Sequence, residues 1–340
     1  MGVETVLKAA RIVLPLLLAA LLIVVLIARS GLSYAEFIAT LREISPAAVA
    51  GILATTALFV LLSSLKWQLV MGHVATDEAS VPGWGFSLYY TGLGAVLALV
   101  IPPQAAMVLS RSVGTKFRQT GSALAAGASS AYEQIFDIVP LLTMSLAALL
   151  AIAVRLSFGE WLAIVAGLNA AALLAMILLF KSRFWALARF LPLPQRRREP
   201  LREKLEWFAT PAARTLLGAP LVTTLFAISL ARYVVILMRT AFVMASVSLP
   251  IGAFQFLKAY GVARLSSLIS ITPGELGIAE WTWSGVLSWM GFHLEDAARF
   301  VLANRVSNIA SLLAVFAPIW LIYTIARIGG ASSQRKLARG

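Results

Sequence analysis

The 340-residue chain contains no cysteine, which excludes disulfides, thiol catalysis and thiolate metal sites. Imidazole is scarce as well: His73 and His293 are isolated, do not furnish a protein-built zinc or iron centre, and read as interfacial side chains. No Gly-x-x-x-x-Gly-Lys-Ser/Thr loop occurs in these residues, so they encode no ATP motor of that type. Charge is sparse, at 13% of residues against 60% hydrophobic, and the mean hydropathy of +0.88 excludes a soluble core as the destination of so much apolar surface. What charge there is leans positive, with a net value of +13. In a chain this apolar, anionic headgroups and the positive-inside bias account for that excess without a nucleic-acid partner. No metal or cofactor is expected.

What the sequence does have is apolar length. Ile12–Ala28, Ala47–Leu65, Trp161–Phe180 and Leu217–Ala231 are long enough to cross ~30 Å of hydrocarbon at ~1.5 Å per residue. The first is followed by Arg29-Ser30-Gly31 and by no small-residue cleavage site, so it reads as a retained helix and not a signal peptide. The densest basic run, Lys181 to Arg214, holds Arg189, Arg196, Arg197, Arg198, Arg202 and Lys204 and should be cytoplasmic. Lys8, Arg11, Lys116, Arg118, Arg327, Arg335, Lys336 and Arg339 fall on the same side, leaving Arg29–Ser45, Arg155–Glu160 and Ser246–Pro250 outside. Both termini are therefore expected in the cytoplasm of a bacterial-type inner membrane.

This topology requires two apolar segments not to cross completely. Phe86–Ser110 is interrupted by Pro102-Pro103, and Ile251–Met290 by Thr272-Pro273-Gly274. Proline removes a backbone donor and glycine permits a left-handed bend, so each break suits the tip of a re-entrant hairpin. The expected fold is one integral membrane domain over 1–340, all-α and polytopic, with about six spanning helices and two re-entrant hairpins. Tyr90 and Tyr260, and Pro103 and Pro273, are each separated by 170 positions, and Gly92 and Gly261 follow the tyrosines. That suggests an inverted-topology repeat of about 47–153 and 217–327, joined through a cytoplasmic basic loop at 181–216.

Ionisable residues inside a bilayer cost roughly 2.5–3.5 kcal/mol each on insertion scales, so they need partners or a polar interior. The candidates are Arg111, Glu133, Asp137, Arg232, Arg239, Lys258, Arg264, Glu275, Glu280, Arg299 and Arg305. Glu133 and Asp137 at i, i+4 share a helix face, as do Arg232 and Arg239 at i, i+7. Arg232, Arg239, Lys258 and Arg299 read as structural ion pairs or snorkelling side chains. Arg111, Arg264 and Arg305, near the breaks, offer the planar fork that suits phosphate oxygens. Helix starts after Pro103 and Gly274 would add positive dipole ends. A phosphate-bearing ligand is the natural inference. The tryptophans at 67, 84, 161, 281, 283, 289 and 320 read as interfacial belts, and Gly92 and Gly94 as sites of close helix packing.

Thr272-Pro273-Gly274-Glu275-Leu276-Gly277-Ile278-Ala279-Glu280, followed by Gly291 and Asn304-Arg305, resembles the second-half signature of the lysylphosphatidylglycerol synthase membrane-region family of flippase-like proteins. Pro103 with Arg111, and Glu133 with Asp137, resemble its first-half pattern. Glu275 stands where that family's second glycine is usual, Gln134 where an arginine is usual, and Met107-Val108 where Gly-Glu is usual. The resemblance, over roughly Ala47 to Tyr323, implies the flippase-like part without the soluble aminoacyl-transfer domain. It implies movement of a polar or isoprenoid lipid between leaflets, with membrane lipids and their anionic headgroups as partners and a homo-oligomer as a further expectation. On this reading Arg111, Arg264, Arg305, Thr272, Gly274, Glu275 and Glu280 bind substrate, and Glu133, Asp137 and Glu280 couple protons or ions. An integral membrane enzyme acting on lipid phosphates and a secondary transporter of a small soluble anion are the competing functions. Neither a histidine-containing catalytic constellation nor an Asp-rich metal motif favours the enzyme.

Overall fold

The structure is a computed structural model that describes residues 3–74, 81–118, 122–181, 218–247, 249–268 and 272–337. The basic loop expected at 181–216 lies almost wholly outside the described residues. Among the described residues the chain is entirely helical: α1 (Val3–Ser30), α2 (Tyr34–Arg42), α3 (Pro46–Val74), α4 (Trp84–Leu97), α5 (Pro103–Arg118), α6 (Ala123–Ala153), α7 (Phe158–Lys181), α8 (Ala219–Ser246), α9 (Ala253–Ala263), α10 (Ile278–Trp289) and α11 (Leu294–Leu337). Short 3-10 turns at Arg264–Leu268 and Pro273–Glu275 lie between α9 and α10.

Five of these helices, α3, α6, α7, α8 and α11, contain stretches long and apolar enough to cross a bilayer. A sixth candidate is the apolar part of α1 from Leu17, which turns 94° into α2. The segment Arg29–Ser45, expected as an external loop, is thus mostly helix. Its sequence explains why: Ser33 and Glu36 form a capping box, with the Ser33 N–H donating to Glu36 at 2.8 Å and the Glu36 N–H to Ser33 Oγ at 3.2 Å. Serines also open α6, where Ser122 accepts from the Ala125 N–H, and α7, where Ser157 and Glu160 cap one another. Buried hydroxyls along α3 close onto their own helix, Thr56 on the Ile52 carbonyl and Ser64 on the Val60 carbonyl, so no polar group is stranded there.

Each proline-interrupted segment folds into a helical hairpin. In the first, α4 and α5 run antiparallel, with Gly94 against Met107 and Ser110, and Gly114 against the Tyr90 ring. In the second, α9 and α10 are paired through Phe256 and Tyr260 on Trp283. A long helix follows each hairpin, and the two long helices exchange partners. Helix α6, from the first half, packs on α9, where Ala148 and Met144 touch Gly261 and Ser145 Oγ donates to the Gly261 carbonyl at 2.6 Å. Helix α11, from the second half, packs on α4, where Phe316 touches Gly92 and Tyr323 stacks on Tyr89 at 4.2 Å. Gly92 and Gly94 therefore serve close packing as expected, because a Cβ at either would collide with its neighbour.

The hairpin breaks meet. Gly274, at φ +58°, sits against the end of α4, where an added Cβ would come within 2.6 Å of the Leu99 carbonyl oxygen. Gly277, at φ +81°, lies likewise against Leu22 and Ala19 of α1. The tryptophan expectation needs correction. Trp67, Trp161 and Trp283 are buried in the helix packing, whereas Trp84, Trp289 and Trp320 are exposed as belt residues would be. Trp281 reaches from α10 to donate to the Leu22 carbonyl at 2.7 Å.

Candidate functional site

Charged side chains collect where the long helices and hairpins cross. Arg111 on α5 is fully buried, with both terminal nitrogens engaged and only Nε without an acceptor. It pairs with Glu133 of α6, donates to Ser130 Oγ at 3.0 Å, to the Ser63 carbonyl at 3.2 Å and to Thr91 Oγ1 at 3.2 Å, and lies 4.8 Å above the Trp67 ring. A guanidinium with so many donors used is held as a structural strut, and its burial is offset by a carboxylate, as the interior requires.

One turn along α6, Asp137 accepts from Lys66 Nζ at 2.6 Å and from Ser229 Oγ at 2.8 Å, and pairs with Arg232 of α8. Lys66 was missed by the sequence reading, which ended its span at Leu65. It is wholly buried, and the signal available was a lone lysine within a long helix otherwise free of charge from Pro46, next to Trp67. Lys66, Arg111, Glu133, Asp137 and Arg232 act on one another electrostatically and form one network at the crossing of α3, α5, α6 and α8.

The second hairpin carries a matching arrangement of opposite sign. Glu280 of α10 accepts from Arg305 Nε of α11 at 2.5 Å, and a second Arg305 nitrogen donates to the Gly274 carbonyl at 2.8 Å. Where the first half puts arginine on the hairpin and glutamate on the long helix, the second puts glutamate on the hairpin and arginine on the long helix. The other oxygen of Glu280 accepts from the Gly277 N–H at 2.6 Å. The start of α10, expected as an anion site, is thereby already occupied by the chain's own carboxylate. Thr272 is fully buried and its hydroxyl has no partner.

Arg232 and Arg239, one helix face in the sequence, have different fates. Arg232 is paired, whereas no described residue forms an ion pair with Arg239. The same holds for Arg264, at the end of α9: the Nε atoms of both are sealed from solvent without an acceptor. Both arginines lie within electrostatic reach of each other and of Tyr260, and Arg264 also of Tyr233 and Glu275. The two tyrosine rings meet edge to face at 5.4 Å, and both hydroxyls are buried and unsatisfied. Glu275 has φ +61°, an outlier for a residue with a side chain, between two left-handed glycines.

The structure thus brings Arg305, Glu280 and Gly274 together, and Arg111 with Glu133, and holds Arg264 and Glu275 in a third group with Arg239. All three carboxylates expected to couple ions, Glu133, Asp137 and Glu280, are engaged by cations. Among the described residues no cluster of His, Asp and Glu is arranged to hold a metal ion. The family model described as the lysylphosphatidylglycerol synthase TM region matches residues 12–321. No curated protein matches the chain.

Proposed function

The chain belongs to the lysylphosphatidylglycerol synthase TM region family, and on that premise we propose that it is a lipid translocase that moves a phosphate-bearing lipid between the leaflets of the membrane it spans. Family membership by itself points to a multi-pass membrane protein concerned with lipid synthesis or flipping. The observation that carries the finer reading is the charge balance of the interior. Lys66, Arg111, Arg232, Arg239, Arg264 and Arg305 face Glu133, Asp137, Glu275 and Glu280, so the cations are in surplus inside an apolar shell. Unbalanced buried charge is costly, and an anionic headgroup entering among the helices would offset it.

The two hairpins support the same reading. Their opposed sequence position, the exchange of long-helix partners and the sign-reversed ion pairs favour an inverted repeat of two re-entrant units whose broken ends meet near the membrane midplane. Non-helical backbone is tolerated at that depth where protein covers it, as Leu99 and Arg305 cover Gly274. The lysine and arginine distribution supports cytoplasmic termini in a bacterial-type inner membrane. With its carboxylates held as counter-ions, the protein acts as a carrier and not a catalyst, driven by the lipid gradient.

The test is translocation in proteoliposomes of defined composition. A head-labelled phosphatidylglycerol should become accessible to an impermeant quencher from the opposite leaflet at a rate that scales with protein, and a neutral diacylglycerol-type lipid of the same chain length should show no such acceleration. Equal acceleration of both lipids, or of neither, would overturn the reading.

A further inference from the structure

We propose that Arg239 and Arg264, with the hydroxyls of Tyr233 and Tyr260, form a binding site for a phosphate oxyanion, and that the Glu275 carboxylate is the resident charge with which the incoming anion competes. This deepens the translocase reading and rests on it for the source of the anion, a lipid headgroup.

The site differs from the other charged groups in what it lacks. Arg111, Arg232 and Arg305 each hold a carboxylate directly, and Lys66 does so at 2.6 Å. Arg239 and Arg264 hold none, although each raises the cost of the other through like-charge repulsion. Two guanidiniums without a carboxylate and two phenols without a partner are all donors, and among the described residues no acceptor bonds the buried Arg239 Nε, the buried Arg264 Nε or either tyrosine hydroxyl. A tetrahedral oxyanion accepts from several such donors at once, and guanidinium forks match its oxygens. Neither arginine is fully buried. The tyrosines are fixed rather than adaptable: Tyr260 is 1% exposed and packed by Tyr233, Phe256 and Trp283.

Glu275 is the carboxylate that acts on Arg264, from beyond ion-pair distance, and it does so from left-handed backbone at φ +61°. A side chain at such a position is retained against local strain. Here it supplies partial neutralisation to Arg264 while leaving the donors free, an arrangement that admits an anion and limits how tightly it is kept.

The sign of Glu275 makes the proposal testable apart from folding. Full-length protein purified in neutral detergent is titrated with dihexanoyl phosphatidylglycerol and, separately, with inorganic phosphate, and binding is read by calorimetry. Arg239→Gln and Arg264→Gln should each weaken binding by about tenfold or more, the worth of a charge-assisted hydrogen bond. Glu275→Gln should tighten it, because a competing negative charge is removed with the backbone unchanged. Arginine variants that bind like the wild type, or a Glu275→Gln that weakens binding or leaves it unchanged, would overturn the site. If either arginine variant fails to fold, Glu275→Gln alone decides. Binding of inorganic phosphate with this mutational pattern, and none of the short-chain lipid, would uphold the site and overturn the translocase reading.

Discussion

Arg305 and Arg239 both lie on helices apolar and long enough to cross a membrane, yet only the first should lose stability on substitution. Arg305→Gln leaves Glu280, a side chain 2% exposed, without its cation, and breaking a buried pair from one side costs about 3–5 kcal/mol. Adding Glu280→Gln should restore much of that loss, since glutamine keeps the acceptor for the Gly277 N–H. Arg239→Gln removes a charge that has no partner and should leave the melting temperature unchanged or higher. Thermal unfolding of the three variants in one detergent checks both statements. Glu275 offers a comparison of its own. Relief of left-handed strain is worth about 1–3 kcal/mol, offset by about 0.4–1 kcal/mol of extra unfolded-chain freedom for glycine. Glu275→Gly should therefore be about 1 kcal/mol more stable than Glu275→Gln, which loses the same charge and keeps the strain. The sequence marked every one of these residues as an ionisable group inside the membrane, but it read Arg239 as a structural or snorkelling side chain and did not show which cations would pair. Spacing places Arg232 and Arg239 on one face of α8, and only the crossing of α6, with Asp137, divides them.

Among the elements, the hairpins were the most legible part of the chain, because Pro102-Pro103 and Pro273-Gly274 interrupt apolar runs that would otherwise read as spans. What the local sequence withheld was their mutual contact, a long-range consequence of how α6 and α11 exchange partners. That contact gives Gly274 two independent reasons to be glycine: its positive φ, and the Leu99 carbonyl oxygen 2.6 Å from any Cβ. Gly274→Leu should abolish lipid translocation while the protein still reaches the membrane fraction, measured by the quenching assay alongside detergent extraction and size exclusion. Full translocation by a well-inserted variant would show that the two breaks need not touch. The short amphipathic α2 escaped the sequence reading for a different reason. Nine residues carry too little periodicity to outweigh their flanking polar residues, although Ser33 and Glu36 already spelled a helix start.

For the whole molecule, orientation is the property most directly open to measurement. A reporter fused after Arg198 should be cytoplasmic and one near Gly159 periplasmic, with α7 crossing between them; the same side for both would remove α7 from the spanning set and end the inverted-repeat reading. The pairing of charges also bears on how such a chain can be made at all. Arg111 finds Glu133 within 22 residues and Lys66 finds Asp137 within 71, while Glu280 meets Arg305 within 25. The first half of a nascent chain can therefore enter the bilayer electrically neutral: by the time α6 has left the ribosome, its two basic and two acidic groups can already satisfy one another, and the surplus of cations arrives only with the second half. The contacts that close the structure, Tyr89 with Tyr323 and Gly92 with Phe316, must wait for α11 to be synthesised. Until then the first hairpin stands open along the side that α11 will cover, which makes α11 the latch of biogenesis.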